Sequence, residues 1–252
     1  MSKRLFPLVI CAVALLPVSL ASQALGSAGI QIDDPALTTQ KIRPGDGSER
    51  VAAFARVREE ILSAARRNDL DAVARHFAPE TRCYTAAGLV NEEGMMTAEA
   101  CAAQLRADPD ELRAFLWNLQ RALEIGTAFD QDMIVAPYVA VAGDIILSLP
   151  EITGHYYVVA ADRVRARSAP SSRAKVVESL SYDIVTKVTA NADAVAGTEG
   201  DACDAWEQIV TPSKRKAWIC AKYLAAPLDG ARFVFQRQPD GEWRLTGVYA
   251  AD

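Results

Sequence analysis

Four of the chain's five cysteines fall into two close pairs, Cys83 with Cys101 and Cys203 with Cys220, and this spacing constrains the fold more than any other feature. Whether they are bridged depends on where the chain folds. Residues 1–21, MSKRLFPLVICAVALLPVSLA, place Lys3 and Arg4 ahead of an apolar run from Leu5 to Leu20 and end in Ser19-Leu20-Ala21. That is the layout of a cleaved export leader, with a small-x-small signal at its end. Pro7 and Pro17 interrupt the run, and it falls short of the ~20 apolar residues a spanning helix needs. Cys11 lies inside it and is preceded by Ile10, where lipid attachment wants a small residue. The expectation is a periplasmic or secreted protein with no transmembrane segment once the leader is removed.

In an oxidising compartment four cysteines imply two disulfides, with three possible connectivities. The spacing favours Cys83–Cys101 and Cys203–Cys220. For the second pair there is a geometric reason. Trp206–Val210 and Lys216–Cys220 read as two strands joined by the turn Thr211–Arg215, which brings Cys203 and Cys220 to facing positions. Each bridge would close a short loop and contribute roughly 3 kcal/mol in the chain-entropy model. Buried free thiols are the alternative.

Half the residues are apolar and 23% are charged, so a packed core is possible and wholesale disorder is excluded. The net charge is −5, with 27 basic and 32 acidic residues, which argues against a nucleic-acid partner. The only histidines are His76 and His155, so a histidine-rich zinc site is not expected, and no cofactor motif is present.

Residues 22–47 lack periodicity and read as a linker. From Ser48, a candidate cap, Val51, Phe54, Val57, Ile61, Leu62 and Ala65 recur at helical spacing. Asn68 or Asp69 opens a second helix expected to carry Leu70, Val73, Ala74 and Phe77 and to end at Pro79. Thr97 with Glu99 opens a third around Cys101. Asp108 caps a fourth, with Pro109 in its first turn, Leu112, Phe115, Leu116, Leu119 and Leu123 on one face, and Gly126 as its stop. After residue 130 the pattern changes to short apolar runs: Ile145–Leu147, Tyr156–Val159, Val176-Val177, Ile184–Val188, and a final hairpin of Phe233–Phe235 and Trp243–Val248 around Pro239-Asp240-Gly241. Two strands alone are marginal in water, so this hairpin needs a partner surface.

Residues 155–228 resemble the bacterial SH3-type (SH3b) domain of exported cell-wall proteins. Val164-Arg-Ala-Arg-Ser-Ala-Pro170 is similar to that family's N-V-R-x-x-P segment, followed by Val176–Leu180, Ile184-Val185, Trp206–Val210, Ala217-Trp-Ile219 and Lys222-Tyr-Leu224. The departures are Val164-Arg-Ala in place of N-V, Ala217 where glycine is usual, and a longer acidic loop at 191–205. The arrangement also resembles exported proteins in which such a domain follows an Ala-Pro-Tyr segment, here Ala136-Pro137-Tyr138, and precedes a C-terminal strand pair. Residues 67–88 and the tail resemble nuclear-transport-factor-like α+β folds through Asn68–Asp71, His76-Phe-Ala78 and Asp240–Trp243. The expected architecture is α+β: a mainly helical N-terminal domain (48–150) completed by the hairpin 231–252, plus an SH3-like β-barrel (155–228).

No catalytic constellation is evident, and the chain leans away from being an enzyme. His76 and His155 read as solvated, as do Glu59-Glu60 and Glu92-Glu93, while Ser172-Arg-Ala-Lys175 has no Lys-Thr-Gly partner. Charge is more informative. Arg163, Arg165, Arg167, Arg173 and Lys175 crowd one short stretch, Lys214–Lys216 adds a basic hairpin tip, and 193–207 is acidic. A basic first loop suits an anionic partner rather than a proline-rich one. The candidate binding residues are therefore Arg165, Arg167 and Lys175, with Tyr182 and Tyr223 as aromatic contacts, while Trp206, Trp218 and Leu224 read as core. The expected partner is a peptidoglycan peptide or an envelope protein; the alternative is an envelope hydrolase targeted by the SH3-like domain.

Overall fold

The computed structural model describes residues 30–32, 41–44, 52–83, 95–130, 132–142, 156–188, 194–227 and 230–250. The leader, Ser48, Glu92-Glu93, the strand expected at Ile145–Leu147, and His155 lie outside them.

Four helices carry the apolar stripes that the periodicity marks: α1 (Ala52–Arg66), α2 (Leu70–Ala74), α3 (Ala98–Ala107) and α4 (Pro109–Ile125). Their caps are chemical. Thr97 accepts from the Ala100 amide, Asp108 accepts from the amides of Asp110 and Glu111, and the Gly126 amide closes α4 on the Ala122 carbonyl. The second helix is shorter than expected. Asp69 caps it, but it stops at Ala74, and Phe77 belongs instead to strand β3 (Phe77–Arg82).

The helices cover a six-stranded sheet. Its strands, in spatial order, are β4 (Met95–Thr97), β3, β16 (Trp243–Ala250), β15 (Ala231–Arg237), β6 (Met133–Ala136) and β5 (Ala128–Asp130). Neighbours are antiparallel except β16, which runs parallel to β3 with Leu245 opposite Phe77. The final hairpin thus lies in the middle of this sheet, with β6 on one side and β3 on the other. Buried Phe54, Ile61, Leu105, Leu119, Phe233 and Leu245 join helices and sheet in one core. Its aromatic rings meet edge-on, Phe54 against Phe235 at 5.3 Å and Phe115 against Phe233 at 5.9 Å.

A second sheet has eight strands. The path runs β14 (Leu224–Ala225), β7 (Tyr156–Val159), β10 (Ile184–Lys187), β12 (Ala205–Val210), β13 (Lys216–Cys220), β8 (Val164–Arg167), β9 (Val176–Leu180), with β11 (Val195–Ala196) on β12. A pair of three-residue strands, β1 (Ile30–Ile32) and β2 (Ile42–Pro44), forms a two-stranded sheet of its own, so part of the expected linker is strand.

The expected fold class is corrected on two counts. The N-terminal region is not mainly helical: the chain is mostly β, in sheets of six and eight strands, with only four short helices among the described residues. Its strands β4, β5 and β6 are three or four residues long, too short to show a period of two, whereas the helices show theirs over several turns. Nor does residues 155–228 form a closed barrel. No pairing among the described residues joins β9 to β14, and β13 meets β8 at the single pair Trp218–Arg167.

The two sheets share a buried junction of Ile42, Ala128, Tyr138, Val158 and Ala225. The Tyr138 hydroxyl donates to the Ile42 carbonyl at 3.0 Å, and the Ile42 amide donates to the Tyr182 carbonyl at 2.8 Å. Lys41 pairs with the largely buried Asp183 at 3.0 Å.

Candidate functional site: a basic cleft beside a disulfide

Both expected disulfides are present, Cys83–Cys101 tying β3 to α3 and Cys203–Cys220 closing the hairpin of β12 and β13. The hairpin pairs Trp206 with Cys220 and runs in register to Val210 opposite Lys216. Beside the second disulfide lies a cleft of about 280 Å³.

Strand alternation supplies one wall. In β8 Val164 and Ala166 are buried, so Arg165 and Arg167 emerge on the other face. The short helical turn Ala221–Tyr223, which follows Cys220 directly, adds Lys222 and Tyr223. Arg163 and Asp162 also line it, and Trp206 and the two cysteines contribute apolar surface. The cleft therefore holds four cations and one carboxylate.

Several of these groups are held in place. Arg167 Nη1 donates to the Ala174 carbonyl at 2.7 Å, and Lys222 Nζ donates to the Ala202 carbonyl at 3.3 Å while standing 5.2 Å from the Tyr223 ring centre. The Ser172 amide donates to Asp201 at 2.9 Å, and the Cys203 amide to the same carboxylate at 3.3 Å. That Ser172 bond, first among several, holds the Asp201 carboxyl below the usual carboxylate range. The Asp162 carboxylate accepts from the Ser181 hydroxyl at 2.6 Å and from Arg163 Nε at 3.1 Å; the Ser181 bond chiefly keeps it ionised to low pH. The Arg165 side chain, by contrast, is exposed and makes no hydrogen bond or ion pair among the described residues. Trp206 is buried, and its indole Nε1 has no acceptor among the described residues.

Of the five expected binding residues, the fold brings Arg165, Arg167 and Tyr223 together. Lys175 is exposed just ahead of β9 and does not line the cleft. Tyr182 is at the junction between the sheets, with the Arg43 guanidinium 5.9 Å from its ring centre. Trp206 is core by burial, as expected, yet it also lines the cleft. Lys222 was legible only as a residue of the SH3-type pattern; its position two residues past Cys220 is the signal that places it beside the bridge. The basic tip is less free than its charge suggests, because Arg215 pairs with Glu178 at 3.1 Å.

A second depression, of about 590 Å³, lies between α1 and α2 and is lined by Glu59, Glu60, Arg67, Arg75 and His76. His76 Nε2 stands 3.4 Å from a Glu60 oxygen, half-buried rather than solvated. Burial lowers its pKa, and Arg75, Arg244 and Arg56 add to that against the opposing Glu60.

The chain matches no protein-family model, no curated protein and no solved structure. Among the described residues no helix is long and apolar enough to cross a membrane.

Proposed function

We propose that this is an extracytoplasmic binding protein whose basic cleft recognises an anionic peptide of the cell wall. The observation that carries the reading is the convergence of Arg165, Arg167 and Lys222 on one cleft beside Trp206 and a disulfide. Arginine forks match carboxylates bidentately, and three cations from two elements form a site that a single surface charge cannot. The leader-like residues 1–21 and the two disulfides support an oxidising, exported setting. The resemblance of residues 155–228 to the SH3-type segment order of exported wall proteins supports binding over catalysis.

The test is co-sedimentation of the mature protein with purified peptidoglycan sacculi at low and moderate salt. Salt-sensitive pelleting that disappears when Arg165, Arg167 and Lys222 are neutralised is the expected result. Protein that stays in the supernatant at every salt overturns the reading.

A further inference from the structure

We infer that the cleft captures the C-terminal end of a peptide, with Arg165, Arg167 and Lys222 on the terminal carboxylate and the Trp206 indole N–H donating to a carbonyl further in. The inference rests on the binding role above and narrows its ligand.

Size argues for a chain end. Small-molecule sites occupy roughly 300–1,000 Å³; at about 280 Å³ this cleft takes one or two residues rather than a length of polymer. Charge argues for a carboxylate. Asp162 is engaged by Ser181 and Arg163, so its negative charge is already compensated. The Arg165 side chain has no partner among the described residues, and Arg167 and Lys222 each commit one donor to a carbonyl, which leaves the remaining guanidinium and ammonium hydrogens for a ligand.

Trp206 separates a peptide end from a simple anion. A buried N–H without an acceptor is destabilising by an amount comparable to a lost hydrogen bond, and tryptophan normally finds a partner when buried. The Trp206 indole lacks one among the described residues, in a residue only 3% exposed that lines the cleft. Beside it the disulfide and the Tyr223 ring are apolar. An occupant that satisfies the whole cleft carries a carboxylate, an apolar group and a neutral acceptor next to one another. A peptide C-terminus with a small side chain has all three; inorganic phosphate carries charge and acceptor oxygens on one compact centre, with no apolar group and no separate neutral acceptor. The disulfide and the Asp201 bonds to Ser172 and Cys203 hold the walls before binding, which lowers the ordering cost of taking a ligand.

The experiment follows the tryptophan indole N–H resonances of the ¹⁵N-labelled mature protein during titration with N-acetyl-alanyl-alanine, its C-terminal amide, and inorganic phosphate. The expected result is a saturable shift of the Trp206 signal, assigned by its loss in Trp206→Phe, with a dissociation constant near or below about 1 mM. The amide should bind at least tenfold more weakly, and phosphate should leave the Trp206 signal in place. The double variant Arg165→Gln, Lys222→Gln should weaken the dipeptide at least tenfold; both residues are exposed, so this arm does not depend on Trp206→Phe folding. Equal binding of acid and amide, or phosphate acting as the dipeptide does, overturns the inference. So does a Trp206 signal that stays still to about 10 mM, tenfold above that constant. Sedimentation with sacculi but no dipeptide response sinks the chain-end inference and leaves the binding role; failure of both sinks both.

Discussion

Arg121 of α4 reaches from the six-stranded sheet's helical layer into the other sheet, where its Nη2 donates to the Leu224 carbonyl at 3.1 Å and to the Ala221 carbonyl at 3.2 Å. Those carbonyls bracket Lys222 and Tyr223, two residues of the cleft. Burial lowers the Arg121 pKa against the opposing Glu124, as befits a guanidinium taken out of water to make these bonds. The turn that completes the cleft is thus gripped from outside its own sheet.

Arg121→Gln should therefore lower stability by about 1–3 kcal/mol, since it leaves part-buried carbonyls without their charged donor. It should also weaken ligand retention, because Lys222 and Tyr223 lose their support. Urea unfolding and the sacculi assay check the two effects. An unchanged urea midpoint would mean the contact contributes nothing.

Titration of the unreduced, unfolded mature protein should find no free thiol. Replacing Cys203 and Cys220 together by serine should cost roughly 3 kcal/mol and abolish the cleft's ligand binding. Replacing Cys83 and Cys101 should cost a similar amount but leave binding intact in the surviving folded fraction, because that bridge joins β3 to α3 away from the cleft. Equal loss of binding from both double variants would contradict this division.

His76 sets a pH dependence. Its folded pKa lies below the ordinary value, first through burial, so the unfolded state binds more protons in the interval between the two. Stability from this group is complete above about pH 6.5 and declines as pH falls toward the folded pKa. His76→Gln should flatten the stability profile between about pH 7 and 5. A wild-type slope that survives the substitution would place its origin elsewhere.

Asn68 sits between α1 and α2 with φ +54°, a left-handed conformation that asparagine tolerates and alanine does not. Asn68→Ala should destabilise by about 1 kcal/mol. Asn68→Gly should fall within a few tenths of wild type, because glycine adopts this region freely. Thermal melting of the two variants side by side distinguishes the backbone effect from any loss of side-chain contact.

Legibility in the sequence followed the range of the interaction. The helices around Phe54, Cys101 and Phe115 were readable because their stripes and their Thr97 and Asp108 caps act within a few residues. The hairpin of β12 and β13 was readable from its turn, and with it the Cys203–Cys220 bridge. Phe77 was misplaced because its apolar side chain continues the helical stripe of α2, while the sheet claims it through β16. In the cleft, Arg165 and Arg167 were legible from charge alone. Lys175, equally basic, is not in it, since charge density along the chain says nothing about which side of a loop a residue leaves.

By itself the sequence determined the leader-like pattern of residues 1–21, the three longer helices and the closing hairpin, and it favoured one of three cysteine pairings. Each is signalled by residues close in the chain, although the closing hairpin is stable only between β6 and β3. Tertiary structure alone decided that β16 runs parallel to β3, that the second sheet stays open, and that Trp206 and Lys222 meet Arg165 and Arg167. Those outcomes depend on closing long loops to bury faces that several segments share. The entropy lost and the area buried in doing so belong to the whole assembly rather than to any one stretch of residues.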